Sequence, residues 1–145
     1  TLEVVGSGAP GQDTVGPVIT NLSVTPNPTL GQNRVTLAAT AADAVAPVAA
    51  AEWFRGADPG AGNGTPMNAL DGTFNTAVEG ISLSFNIANP NQWPLGNHTL
   101  SVRAQDANGN WGAAQNVVLV KSDRFGRTTV VDGIVSENFL PLIER

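Results

Sequence analysis

The sequence predicts an all-β protein: a sandwich of two sheets built from about seven strands, carrying an extended tail at each end. Three observations support this. Apolar residues recur at every second position in several segments and almost nowhere at helical spacing. Turn-forming residues are frequent, with 16 Gly and 10 Pro in 145 residues, and they divide the alternating segments at the short intervals of a sandwich. No apolar run approaches the roughly 18 residues of a membrane span.

Taken in order, "PVITNLSVTP" reads as the first strand, closed by the turn "PNPTLGQN". "RVTLAATAAD" follows, with Val35, Leu37, Ala39 and Ala41 on one face. "VAAAEWFRG" is the third strand, with Trp53 as its inward anchor. The long Gly-rich loop "ADPGAGNGTPMNALDG" leads to "FNTAVEG", a short edge strand. "ISLSFNI" alternates Ile81, Leu83, Phe85 and Ile87. After "ANPNQWPLGN", the strand "HTLSVRAQD" places Leu100, Val102 and Ala104 together, and "GAAQNVVLVKS" is the last core strand. Pro26, Pro28, Pro90 and Pro94 all fall between strands, where a missing N–H does no harm.

The expected division is an extended N-terminal tail over 1–16, the sandwich over 17–122 and an apolar C-terminal tail over 123–145. The first tail offers Leu2, Val4 and Val5. The last offers Val130, Val131, Ile134, Val135, Phe139, Leu140, Leu142 and Ile143, too apolar for a solvated linker. Beginning at Thr1, the chain reads as a processed or trimmed product.

Composition narrows the function. Charged residues make up 13% and the net charge is −5, so neither nucleic acid nor an anionic membrane has a basic patch to meet. With no Cys there is neither a disulfide nor a thiol nucleophile. His98 is the only histidine, no G-x-S-x-G elbow occurs, and Glu52 and Glu79 show no pairing signal for glycoside chemistry. A non-enzymatic protein is expected. Low charge with abundant Thr, Val, Ala and Asn is the composition of extracellular β proteins.

"DTVGPVITNLSVTPNP" resembles the opening of bacterial Ig-like domains from large secreted cell-surface proteins. "AEWFRGADPGAGNGTPMNALDGTF" is similar to the middle of such a module, and "HTLSVRAQDANGNWG" to its penultimate strand and following loop. Together these cover about residues 13–122. The resemblance implies an Ig-like or fibronectin-III-like sandwich on a cell surface and no catalytic residues. The Cys…Trp…Cys pattern of antibody domains is missing.

Two loops carry oxygen-rich chemistry. If the strands alternate direction, Asp43 meets Asp106, Asn108 and Asn110 at one end. The run "D-A-N-G-N" can turn oxygens inward as the first half of an EF-hand loop does, for calcium. The second half is missing, since Trp111 stands where a Gly is needed. The competing reading is a type I′ or related turn, with Asn108-Gly109 supplying positive φ and Asp106 capping nearby N–H groups. The second loop, with Asp58, Asn63 and Asp71, is a cation candidate of the same kind and is expected at the opposite end. Three N-x-S/T sequons make Asn21, Asn63 and Asn97 glycosylation candidates. Trp53, Trp93 and Trp111 are the residues a platform for surface glycans would use, in competition with the core for Trp53 and with turns for the others.

Seven alternating strands release the two tails from opposite poles, the geometry of a head-to-tail chain. The leading expectation is an extracellular structural subunit that joins copies of itself into a surface filament, a tail from one copy completing the sheet of the next as in donor-strand exchange. The alternative is an Ig-like binding or adhesion module of a larger cell-surface or glycan-acting protein.

Overall fold

The computed structural model describes residues 12–130. Those tail residues singled out at 2, 4 and 5 and from 131 to 143 lie outside it, while Val130 is described and 78% exposed. The described residues contain no helix and form two antiparallel four-stranded sheets, a β-sandwich.

The strands are β1 Val18–Thr25, β2 Arg34–Ala42, β3 Val48–Arg55, β4 Thr65–Pro66, β5 Asn68–Ala69, β6 Val78–Asn86, β7 Gly96–Asp106 and β8 Gln115–Lys121. One sheet has the order β1-β2-β6-β5, the other β4-β3-β7-β8. The count is eight rather than seven, and one assignment is corrected. "FNTAVEG" is no separate edge strand: its end runs straight into "ISLSFN" as β6. The edges are supplied instead by the Gly-rich loop, through β4 and β5. Between them Met67 is buried and donates its N–H to Ala51 O (2.9 Å), so the chain crosses from one sheet to the other there.

Alternation places the core where expected. Val35, Leu37, Ala39 and Ala41, with Ile81 and Ile87 beside them on the same side, face Leu100, Val102, Ala104 and Leu119 of the other sheet, all buried. Trp53 stacks on Phe85 at 4.5 Å between centroids, and Trp93 lies 6.4 Å from Trp53. Lys121, the only lysine, is buried and donates to Ile87 O (2.6 Å) and Trp93 O (2.5 Å), pinning the loop between β6 and β7. Burial pushes its pKa down.

The register fixes the two poles. Val18 pairs with Ala42 and Val48 with Asp106, so residues 13, 43 and 106–111 share one pole. Gly96 pairs with Lys121, and Gly31 N bonds Ser122 O (2.9 Å), which puts the end of β8 at the other.

The sheet edges are partly closed. Asn27 donates from Nδ2 to Val118 O and accepts at Oδ1 from Val120 N, both at 2.8 Å, as a strand would. Thr29 and Gly31 continue this cover along β8 to Ser122. On the opposite sheet β1 is broken by a bulge between Thr20 and Ser23, where Asn21 takes φ 54°. Such bulges blunt an edge against further pairing.

Candidate metal centre

Three acids meet at one pole. Asp43 follows the end of β2, Asp106 ends β7, and Asp13 comes from the segment that leads into β1. One carboxylate oxygen from each lies within 4.8 Å of the others. The sites therefore come from both sheets and from the incoming chain.

Asp106 is held from every side. Its Oδ1 accepts from the backbone N–H groups of Asn108 and Asn110, both at 2.9 Å, and its Oδ2 from the Asn110 amide at 3.1 Å. Burial pushes its pKa up. The Asn110 backbone and amide, the Asp13 carboxyl and the Asn108 N–H more than cancel this, and the group sits below the ordinary carboxylate range. Asp43 uses Oδ1 for Val45 N (2.9 Å) and Ala46 N (2.8 Å). Its Oδ2 is buried and has no hydrogen bond at all, although the residue is only 8% exposed. Asp13 accepts from Val15 N at 3.1 Å and from the Asn108 amide at 3.3 Å, and its backbone carbonyl accepts from the Asn110 amide at 3.0 Å.

The glycines explain how the incoming segment gets so close. A Cβ on Gly112 would lie 1.8 Å from Pro17 O, and one on Gly16 would lie 2.2 Å from Gly112 N. Backbone packs on backbone here, and this lays residues 13–17 along the loop after β7.

Electrostatics makes the cluster costly as it stands. When both are ionised, two carboxylate charges no more than 4.8 Å apart repel by about 3.5 kcal/mol or more at an effective dielectric of about 20. A buried carboxylate oxygen without a partner adds about 1–3 kcal/mol. A cation would remove both terms. The donor set is all oxygen, the choice of hard cations such as calcium. Two oxygens sharing one calcium at about 2.4 Å stand at most about 4.8 Å apart, and the three oxygens here lie within that limit.

The loop after β7 is both a turn and part of the cluster. Asp106 O accepts from Gly109 N at 3.1 Å, and Gly109 has φ 88°. Asn108 is not at positive φ, so the turn is not type I′. Asn108 and Asn110 present amide nitrogens to acid oxygens, which makes them props of the acids in this arrangement. Asp13 was not among the residues read from the sequence for this cluster. Its signal was present in "DTVGP", an acid four residues before a proline at the mouth of the first strand.

The second loop has other work. It starts at the far pole but folds back over the outer face of the β3/β7 sheet. Arg103 forks onto Asp58 (2.9 and 2.8 Å) and donates from Nε to Glu52 (2.7 Å). Glu52 also accepts from Gly62 N and Gly64 N, both at 3.1 Å. Asn63 donates to Pro59 O at 3.2 Å, and Asp71 caps its own turn at Thr73 N (3.1 Å). Asp58 is thus engaged by Arg103, and Asn63 and Asp71 each make a local hydrogen bond of the loop.

Asn21, Asn63 and Asn97 are all exposed. Trp53 and Trp93 are buried and Arg55 covers the Trp93 ring at 4.0 Å, so neither offers an open face to a sugar. His98 bonds Pro94 O through Nε2 at 2.7 Å. No described helix is long and apolar enough to cross a membrane.

No family model and no curated protein matches the chain. Among solved structures, a variant of the SrpA adhesin from Streptococcus sanguinis is similar, with TM-score 0.50 and 17% identity, covering 86% of this chain and 67% of that one. The sulfane dehydrogenase SoxCD from Paracoccus pantotrophus is matched with TM-score 0.45 and 15% identity over 64% of this chain, which spans 23% of that one. At such identity the likeness to the adhesin shows a shared fold: the chain is a β-sandwich of a kind also found in a bacterial surface adhesin.

Proposed function

We propose that the chain is a non-enzymatic, Ig-like module of an extracellular adhesion-type surface protein, joined in series with its neighbours. The observation that carries this reading is polarity. The chain enters the sandwich at the acid pole and leaves β8 at the other, so modules strung through their termini extend in line. Strand order supports the Ig-like part. The sheets β1-β2-β6-β5 and β4-β3-β7-β8 follow the A-B-E-D and C-F-G order of that fold, with β4 as one added strand. The adhesin's shared fold supports the surface setting.

Head-to-tail assembly of copies through strand exchange is the second reading, and the same polarity favours it. It needs an open acceptor edge. Along β8 the stretch from Val118 to Ser122 is already covered by residues 27–31, and β1 carries its bulge. These covered and bulged edges favour the module over strand exchange.

The test is light scattering and electron microscopy of the full chain beside a chain ending at Val130. A monomer at high concentration in both supports the module. A polymer that disappears with the shortened chain overturns it in favour of a filament subunit.

A further inference from the structure

We propose that Asp13, Asp43 and Asp106 bind one calcium ion, and that the ion staples the incoming N-terminal segment to both sheets. Two independent observations meet here. The three carboxylates converge within 4.8 Å, and Asp43, more than nine-tenths buried, keeps an oxygen with no hydrogen-bond partner. Natural proteins rarely leave a buried carboxylate oxygen bare. The carboxylate that keeps this oxygen is one of the three that converge, and a shared cation would give it a partner.

The chemistry selects the ion. All three donors are carboxylates, and the only histidine is engaged elsewhere with Pro94 O. Zinc favours nitrogen and sulfur donors, and magnesium demands a regular octahedron with shorter bonds, about 2.0–2.1 Å. Calcium accepts irregular oxygen cages of six to eight ligands, the remainder supplied by carbonyls and water. A groove lined by Gln12, Asp13, Thr14, Asn108 and Asn110 leads to the cluster from solvent.

The position gives the ion its role. Asp43 directly follows β2 of one sheet, and Asp106 ends β7 of the other. Asp13 precedes β1 by five residues. One ion therefore ties the two sheets to each other and to the chain that arrives from the preceding segment. In a protein without cysteine this is the cross-link available to it. Direction as well as stability follows: residues 13–17, already laid against Gly112, become fixed relative to the sandwich. Calcium loading thus sets the angle at which whatever precedes the module leaves it. This holds whether the neighbour is another module or another copy.

The experiment uses the full chain stripped with a chelator. Calcium is titrated calorimetrically, and melting and amide exchange are followed with and without it. One ion per chain is expected, with a Kd on the order of 0.1–1 mM, the range of extracellular modules. The melting temperature should rise, and protection should increase at residues 12–18 and 106–112 above all. Magnesium should bind at least about tenfold more weakly. Asp13→Asn is the decisive variant, because Asp13 is only partly buried and its loss leaves the core intact. It should fold, weaken calcium at least about tenfold and remove the added protection at 12–18. Asp43→Asn should abolish binding while melting no lower than the stripped parent, since a neutral amide relieves the repulsion. Asp71→Asn should change nothing. The proposal is overturned if millimolar calcium gives neither heat nor a melting shift, or if Asp13→Asn binds it as tightly as the parent.

Discussion

Arg103 is the residue on which the folded-back loop depends, and Arg103→Met tests that dependence. Methionine keeps the apolar stem and removes the guanidinium. Arg103 and Glu52 have side chains 7% and 4% exposed, whereas Asp58 is 53% exposed. Losing the Asp58 half of the fork costs little, because water replaces the guanidinium there; exposed pairs are worth about 0–1 kcal/mol. The Glu52 half differs. Removing one partner of a buried pair costs about 3–5 kcal/mol, because a charge is left uncompensated. Glu52 keeps the N–H groups of Gly62 and Gly64, which favours the lower end, about 3 kcal/mol. The melting temperature should fall by about 10 °C, and residues 57–64 should become sensitive to protease. Adding Glu52→Gln to Arg103→Met removes the stranded charge and should recover about half of the loss or more. Asp58→Ala alone should cost less than about 1 kcal/mol. Urea denaturation of the four chains provides the measurement. A loss below about 1 kcal/mol for Arg103→Met, or no recovery in the double variant, refutes the reasoning that a buried charge drives the effect.

Two further outcomes follow from the core and the acids. Trp53→Ala should cost about 3–5 kcal/mol by chemical denaturation, since it empties the stack with Phe85; Trp53→Phe should cost much less, because the Trp53 indole N–H has no hydrogen bond to lose. A small loss for alanine would show that the stack contributes little. Acidification in the presence of calcium should destabilise the protein. The Arg103 fork holds Asp58 below the ordinary range, and the Asn75 N–H does the same for Glu79. Burial pushes Asp123 up, but its bonds from Arg127 outweigh this and lower it. Carboxyls with lowered folded pKa values bind protons more readily in the unfolded chain. Their stabilisation is complete above about pH 5 and drains as pH falls from there through the folded values. Urea midpoints flat from pH 7 to about 5 and falling below about 4 are expected; midpoints that rise on acidification would contradict the assigned directions.

Some of this protein is legible in its residues alone. Alternation at 35–41, 81–87 and 100–104 determined the sandwich, because one buried face leaves a strand no other register without exposing its apolar set. Gly109 and Asp106 announced a capped turn. Other features depend on residues far apart in the chain meeting. Asp13 joins Asp43 and Asp106 only because Gly16 and Gly112 let two backbones touch. "FNTAVEG" read as an edge strand because local pattern cannot say which partner a strand will find; pairing along β2 drew residues 78–86 into one strand, and the true edges came from two-residue pieces of a loop. Asp58, read from its loop as a cation candidate, is met by Arg103, 45 residues later. Periodicity is a local property and fixes which face is buried. Which charges face one another is decided by loop paths and close packing, and these exist only in the folded chain.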